Sequence, residues 1–170
     1  TLMPGAASLY FGSGFVAGRG NNWLTGMYAN YNIYKTKDSR YVSVGCLEKK
    51  FWTNLCNALE RTDLIDLIDC EENHPYLKEQ LTLEFEKRTM VEWETYLKGK
   101  DTCVTPILNF AEACDAEQTK ANEMVLTVND EELGEYKQIG FAMKLSKTQA
   151  QLSKRAPRLG EDNKEILGED

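Results

Sequence analysis

Tyr28 to Trp52 reads YANYNIYKTKDSRYVSVGCLEKKFW, and the fold turns on this stretch. Tyr31 and Ile33 stand at period two before a polar break, Lys37-Asp38-Ser39-Arg40, and Tyr41, Val42 and Val44 follow it. Aromatic and β-branched residues flanking a short polar turn predict a β-hairpin. The period then changes: Phe51, Leu55 and Leu59 recur at steps of four, with Trp52 beside the first. The chain therefore leaves the sheet and enters a helix at Glu48. The free amides and dipole of a first helical turn favour a carboxylate there by about 0.3–1 kcal/mol. That role alone would account for Glu48 without any chemistry.

Composition narrows the function. A chain of 170 residues is long enough for one domain with tails, burying roughly 70% of its unfolded surface. Its formal charge of -7, from 20 basic and 27 acidic residues, argues against nucleic acid, whose partners present a basic face. The five cysteines, Cys46, Cys56, Cys70, Cys103 and Cys114, are odd in number and show no C-x-x-C spacing. They read as reduced, mostly buried thiols of an intracellular protein, with no disulfide frame and no metal site. The longest apolar runs fall far short of the ~20 residues that span a bilayer, and no export signal opens the chain. A soluble, cytoplasmic protein with no membrane partner is expected. A first residue of Thr1 in place of Met suggests a processed or cut chain.

Outward from the hairpin, Thr1 to Gly20 interleaves glycines with Leu9, Tyr10, Phe11, Phe15 and Val16. Each glycine weakens a helix by about 1 kcal/mol, so a poorly formed helix or linker is expected, leaving aromatic surface for a partner. Helices are expected from Glu48 to about Arg61, after His74-Pro75 with Leu77, Leu81 and Phe85, and from the capping box Thr89-x-x-Glu92 to near Gly99. Asp63 to Asp69 suggests a short helical turn, and Asn109-x-x-Glu112 another helix start. Cys103 to Leu108 suggests a strand that Pro106 confines to an edge. Met124–Asn129 and Tyr136–Leu145 suggest a second hairpin around an acidic turn. The fold class is thus α+β: a small antiparallel sheet of two hairpins plus one strand, with helices packed on one face and linker-like ends. The divisions expected are 1–24, a linker or partial helix from a large domain; 25–145, the small domain; and 146–170, a linker and short helix.

No dinucleotide, Walker, zinc-protease or nucleophile-elbow motif is present, so nucleotide cofactors and standard hydrolase chemistry lack support. The one histidine, His74, precedes a proline at a helix start and reads as a surface or capping residue. The runs Arg19-Gly20-Asn21-Asn22-Trp23-Leu24, the hairpin, Val44-Gly45-Cys46-Leu47-Glu48-x-x-Phe51, Asp101-x-Cys103-Val104-Thr105-Pro106 and Ala156-Pro157-Arg158-Leu159-Gly160-Glu161 carry a family signal through their order. Together they resemble the C-terminal half of family III coenzyme A transferases of the CaiB/BaiF type, in the α-methylacyl-CoA racemase branch. Between Asp115 and Lys154 nothing matches.

The resemblance implies a small domain in which Glu48 orients a histidine. That histidine and an aspartate exchange the proton α to a thioester. Both belong to the family's N-terminal half and are absent here. It also implies that Leu24, Tyr31 and Leu47 line an acyl pocket, that Cys103 is buried in a structural strand, and that acyl-CoA is substrate with no cofactor. An upstream large domain and a homodimer of the intact enzyme follow likewise. Read from the residues alone, Leu24, Tyr31 and Leu47 could equally be core. Thr25-Gly26-Met27 replaces the family's Asp-Gly-Gly, which leaves the acyl group open and keeps CoA transfer between carboxylic acids as an alternative. A non-catalytic interaction module docking through the Gly/aromatic end is the other.

Overall fold

Tyr34, Val42 and Val44 point to one side of the first hairpin and are buried, whereas Ile33 and Tyr41 point to the other and are exposed. Alternation of this kind is what a half-covered sheet requires. The structure, a computed structural model, describes residues 4–22, 24–152 and 154–168; Trp23 of the Arg-Gly-Asn run and Ser153 lie outside them. Contacts divide the chain into two units, Thr1–Ile107 and Leu108–Asp170.

In the first unit, helix α1 (Pro4–Ser13) buries none of its residues. Strands β1 (Tyr31–Lys35) and β2 (Tyr41–Gly45) pair antiparallel, Tyr31 opposite Gly45 and Lys35 opposite Tyr41. Their connection contains the expected polar turn, closed by Thr36 N–H on Arg40 C=O at 2.8 Å. Helix α2 (Lys49–Ala58) follows with Glu48 as its N-cap. A 3-10 stretch, Thr62–Asp69, precedes α3 (His74–Phe85), which has Pro75 in its first turn, and α4 (Met90–Leu97). Thr89 and Glu92 form the expected reciprocal capping box at the start of α4. Gly99, just past its end, has φ +77, a left-handed conformation that suits glycine. Strand β3 (Val104–Pro106) adds to the outer side of β2, so Pro106 does lie on an edge strand.

The core of this unit joins Tyr34, Val42, Val44, Trp52, Leu55, Leu77, Leu81, Phe85 and Trp93. Phe85 stacks on Tyr34 with centroids 5.3 Å apart and meets Trp93 edge-on at 5.1 Å. The Trp93 indole N–H donates to Phe85 C=O at 2.8 Å, so the buried ring keeps its polar group satisfied. The opposite face of the sheet carries Tyr31, Ile33, Ser43 and Gly45, of which Ile33 is exposed and the others are half-buried.

The second unit contains α5 (Phe110–Asp115), capped by Asn109 and Glu112, then α6 (Glu117–Ala121), which the sequence reading did not anticipate. Strands β4 (Val125–Asp130) and β5 (Gly134–Ile139) form the second hairpin. The architecture is α+β as expected, with one refinement: the strands divide into a three-stranded and a two-stranded sheet. Period-two spacing says which face of a strand is buried, but not which sheet it joins. Beyond β5 the chain is tied back by charge. Asp130 accepts from Glu132 and Leu133 N–H and from Arg155 Nε at 2.8 Å, while Arg155 also holds Glu161. A short helix, α7 (Asn163–Leu167), follows.

Two expectations about side chains fail. His74 is buried, 6% exposed, because the Tyr28 ring covers it. Cys103 is exposed and Cys70 with it; only Cys46 and Cys56 are fully buried. Cys103 has φ +47, a left-handed turn at the start of β3. Among the described residues no helix is long and apolar enough to cross a membrane, and no three His, Cys, Asp or Glu side chains cluster as a metal would need.

Candidate functional site

The turn between β2 and α2 is clamped from two directions. Cys46 N–H donates to Asn30 C=O at 2.8 Å, and the Asn30 side-chain amide donates to Cys46 C=O at 3.0 Å. From the other side, the Cys46 thiol donates to Thr102 C=O at 2.8 Å, and Gly45 N–H donates to Cys103 C=O at 3.0 Å. Burial pushes the Cys46 thiol well above its ordinary pKa, and it remains protonated. Six residues on, Trp52 is fully buried and its indole N–H donates to Ile65 C=O at 3.1 Å, anchoring the first helical turn.

Glu48 sits between these anchors. Its backbone is extended (φ -76, ψ 137), its C=O accepts from Phe51 and Trp52 N–H, and its carboxylate makes no capping hydrogen bond. The side chain is exposed. Its negative charge adds to the burial and the Asp101 carboxylate that raise the Cys103 thiol, while Lys50 opposes them.

Two grooves flank the turn. The first, of about 420 Å³, lies on the face of the sheet that carries Ile33 and is lined by Leu24, Thr25, Gly26, Tyr31, Asn32, Ile33, Ser43, Val44, Gly45 and Cys103. Its near wall is the 24–26 loop. Asn22 caps that loop through Leu24 N–H at 3.1 Å, and Lys78 holds it by donating to Gly26 C=O at 2.7 Å. Gly26 has φ +94, which a side chain would strain. Leu24 and Tyr31 thus share one groove, and neither Leu24, 48% exposed, nor Leu47, 37% exposed, is a core residue. Leu47 opens instead onto the second groove, about 280 Å³, with Tyr28, Asn30, Lys49, Trp52, Ile68, Asp69, Glu71 and His74. Glu48 lines neither groove.

The second groove holds residues that sequence reading missed. Tyr28 stacks on His74 with centroids 4.4 Å apart and donates its hydroxyl to Glu71 at 2.8 Å. His74 Nδ1 accepts Ala29 N–H at 3.2 Å, which puts the proton of the neutral ring on Nε2. Burial, helped by Lys78 and opposed by Glu71, holds its pKa below the ordinary value. His74 is therefore a neutral, packed residue committed to holding Ala29. No local motif signalled this, since its partners lie more than forty residues away in sequence.

Known proteins place these elements in a family. The chain is 34% identical over 154 residues to the alpha-methylacyl-CoA racemase of Mus musculus, which covers 89% of this chain and 39% of that protein. It is 26% identical over 152 residues to the succinyl-CoA:glutarate CoA-transferase of Mus musculus, covering 85% of this chain and 34% of that one. The fold superimposes on a CaiB/BaiF family protein from Brucella suis with a TM-score of 0.74 at 18% identity, over 98% of this chain and 44% of the other. The chain thus spans about two fifths, or less, of the length of these curated relatives. The profile of CoA-transferase family III matches residues 1–163, and the chain belongs to that family.

Proposed function

We propose that this chain is the small-domain part of an enzyme that exchanges the proton α to a CoA thioester, as an α-methylacyl-CoA racemase does. Glu48 is the carboxylate that orients a histidine supplied from outside these residues. The observation that carries the reading is the state of Glu48. A residue kept only to cap a helix would accept from the N–H of the second or third helical position. The Glu48 carboxylate makes no such bond, yet its backbone is clamped on both sides. It is free to accept an imidazole N–H, which fixes the tautomer and raises the basicity of the other nitrogen. The groove of Leu24 and Tyr31 supplies an apolar wall for the acyl chain, and Leu47 flanks the carboxylate. An upstream large domain contributes the histidine and the aspartate, the intact enzyme is a homodimer, and acyl-CoA is bound as substrate with no cofactor.

Proton NMR in deuterated buffer tests this. The complete protein should exchange the α-proton of a 2-methylacyl-CoA, and Glu48→Gln should slow exchange by about 10²-fold or more. The 170-residue chain alone should exchange nothing. Exchange by that chain, or an undiminished rate in the Glu48→Gln protein, overturns the reading. The 26% identity to a CoA-transferase supports a second one, transfer of CoA between carboxylic acids. CoA appearing on a free acid without α-proton exchange would favour it.

A further inference from the structure

We infer that Asn30 is a positioning residue for Glu48, an inference that rests on the proposed role of that carboxylate. Asn30 is 6% exposed and precedes β1, where it pairs with Cys46 twice. Its main chain accepts Cys46 N–H at 2.8 Å, and its side-chain amide donates to Cys46 C=O at 3.0 Å. The second bond fixes the plane of the peptide that leads into Leu47, and so the direction in which Glu48 leaves the sheet. The Glu48 carboxylate makes no capping bond that would do this. Its backbone is held between Cys46, which Asn30 bonds, and the buried Trp52, which is anchored to Ile65.

A purely stabilising account of Asn30 is incomplete. Its Oδ1 is buried and, among the described residues, has no hydrogen-bond partner. An orphaned acceptor weakens a fold, and an apolar side chain of similar size would avoid it. What the amide does secure is one peptide orientation, and misplacing a reacting group by about an ångström can cost about 10²-fold in rate.

The test uses Asn30→Ala and the near-isosteric Asn30→Asp, each alone and combined with Glu48→Gln, in the protein that joins this chain to the rest of its site. Each single variant should lower kcat for α-proton exchange by about 10- to 100-fold with KM within about twofold. In the Glu48→Gln background the same changes should alter kcat by less than about twofold, because nothing is left to position. Additive losses in that background, or an unchanged kcat in both single variants, overturn the inference. Hydrogen exchange of the 170-residue chain supplies a readout that does not depend on the reaction. The Cys46 N–H should exchange at least about tenfold faster in either variant while the Trp93 N–H stays protected. Unchanged protection at Cys46 overturns the inference even if Glu48 proves to have no catalytic role. A Glu48→Gln protein with full activity and a loosened Cys46 would instead sink the functional reading alone.

Discussion

Titrating the native chain with an aromatic disulfide reagent should separate its five cysteines into two classes. Cys46 and Cys56 are fully buried, whereas Cys70 and Cys103 are exposed and Cys114 lies between. The thiolate is the reacting form, so two routes to the buried pair can be weighed. In the closed state burial pushes the Cys56 thiol from 9.0 up to about 12. At pH 8 this cuts its thiolate from about one part in ten to about one in 10⁴, a loss of about 10³-fold before access is considered. The other route is opening of the core. Even at the low end of ordinary stabilities, about 5 kcal/mol, the open form is only about 2 in 10⁴ of the population. Either way the buried pair should react at least about 10³-fold more slowly than an exposed thiol of ordinary pKa, and more slowly than Cys103, which is exposed although burial, Asp101 and Glu48 raise its thiol. The assay counts thiols by absorbance in buffer, then in urea, and Cys103→Ser should remove one equivalent from the fast phase. Four or five thiols reacting at similar rates in a chain with native circular dichroism would refute the packing of α2 against the sheet. A bulky adduct on Cys103 should also occupy the groove of Leu24 and Tyr31 and abolish binding of a short acyl-CoA to the complete protein.

Phe85→Ala removes the ring between Tyr34 and Trp93 and should lower unfolding free energy by about 3–5 kcal/mol in urea titration; a loss under about 1 would mean the cluster is not the core. Thr89→Ala removes the capping box of α4 and should cost about 1 kcal/mol, with the m-value unchanged. His74 has a folded pKa below its ordinary 6.5, so the unfolded chain takes up the proton first. Stability should therefore fall as pH drops through about 6.5 and level off below the folded value, and His74→Gln should flatten that slope. In the second unit the Arg155 and Arg158 contacts hold the Glu161 carboxylate down to about 2. Its stabilising contribution should be complete above about pH 4.5 and disappear as pH falls towards 2, as followed by the Tyr136 ring resonances.

Much of the local structure was legible along the chain. Strand and helix announced themselves by period, and Thr89 with Glu92, Asn109 with Glu112, and Pro75 each marked a helix start through chemistry confined to a few residues. Glu48 at the strand-to-helix junction was legible for the same reason. What failed was burial of individual polar and sulfur groups. His74 beside a proline looked like a surface residue until Tyr28 closed over it, and Cys103 looked buried until a positive φ turned it outward.

The amino-acid order by itself determined the α+β class, the first hairpin and the place where sheet becomes helix, because each depends on neighbours within a turn or two. The tertiary structure decided that Leu24 and Tyr31 share a groove while Leu47 faces another, and that the Glu48 carboxylate makes no capping hydrogen bond. Those outcomes are set by bonds such as Asn30 to Cys46, Ala29 to His74 and Cys46 to Thr102, spanning 16, 45 and 56 residues. Local spacing carries no trace of which distant groups will meet, since that depends on how the helices pack against the sheet.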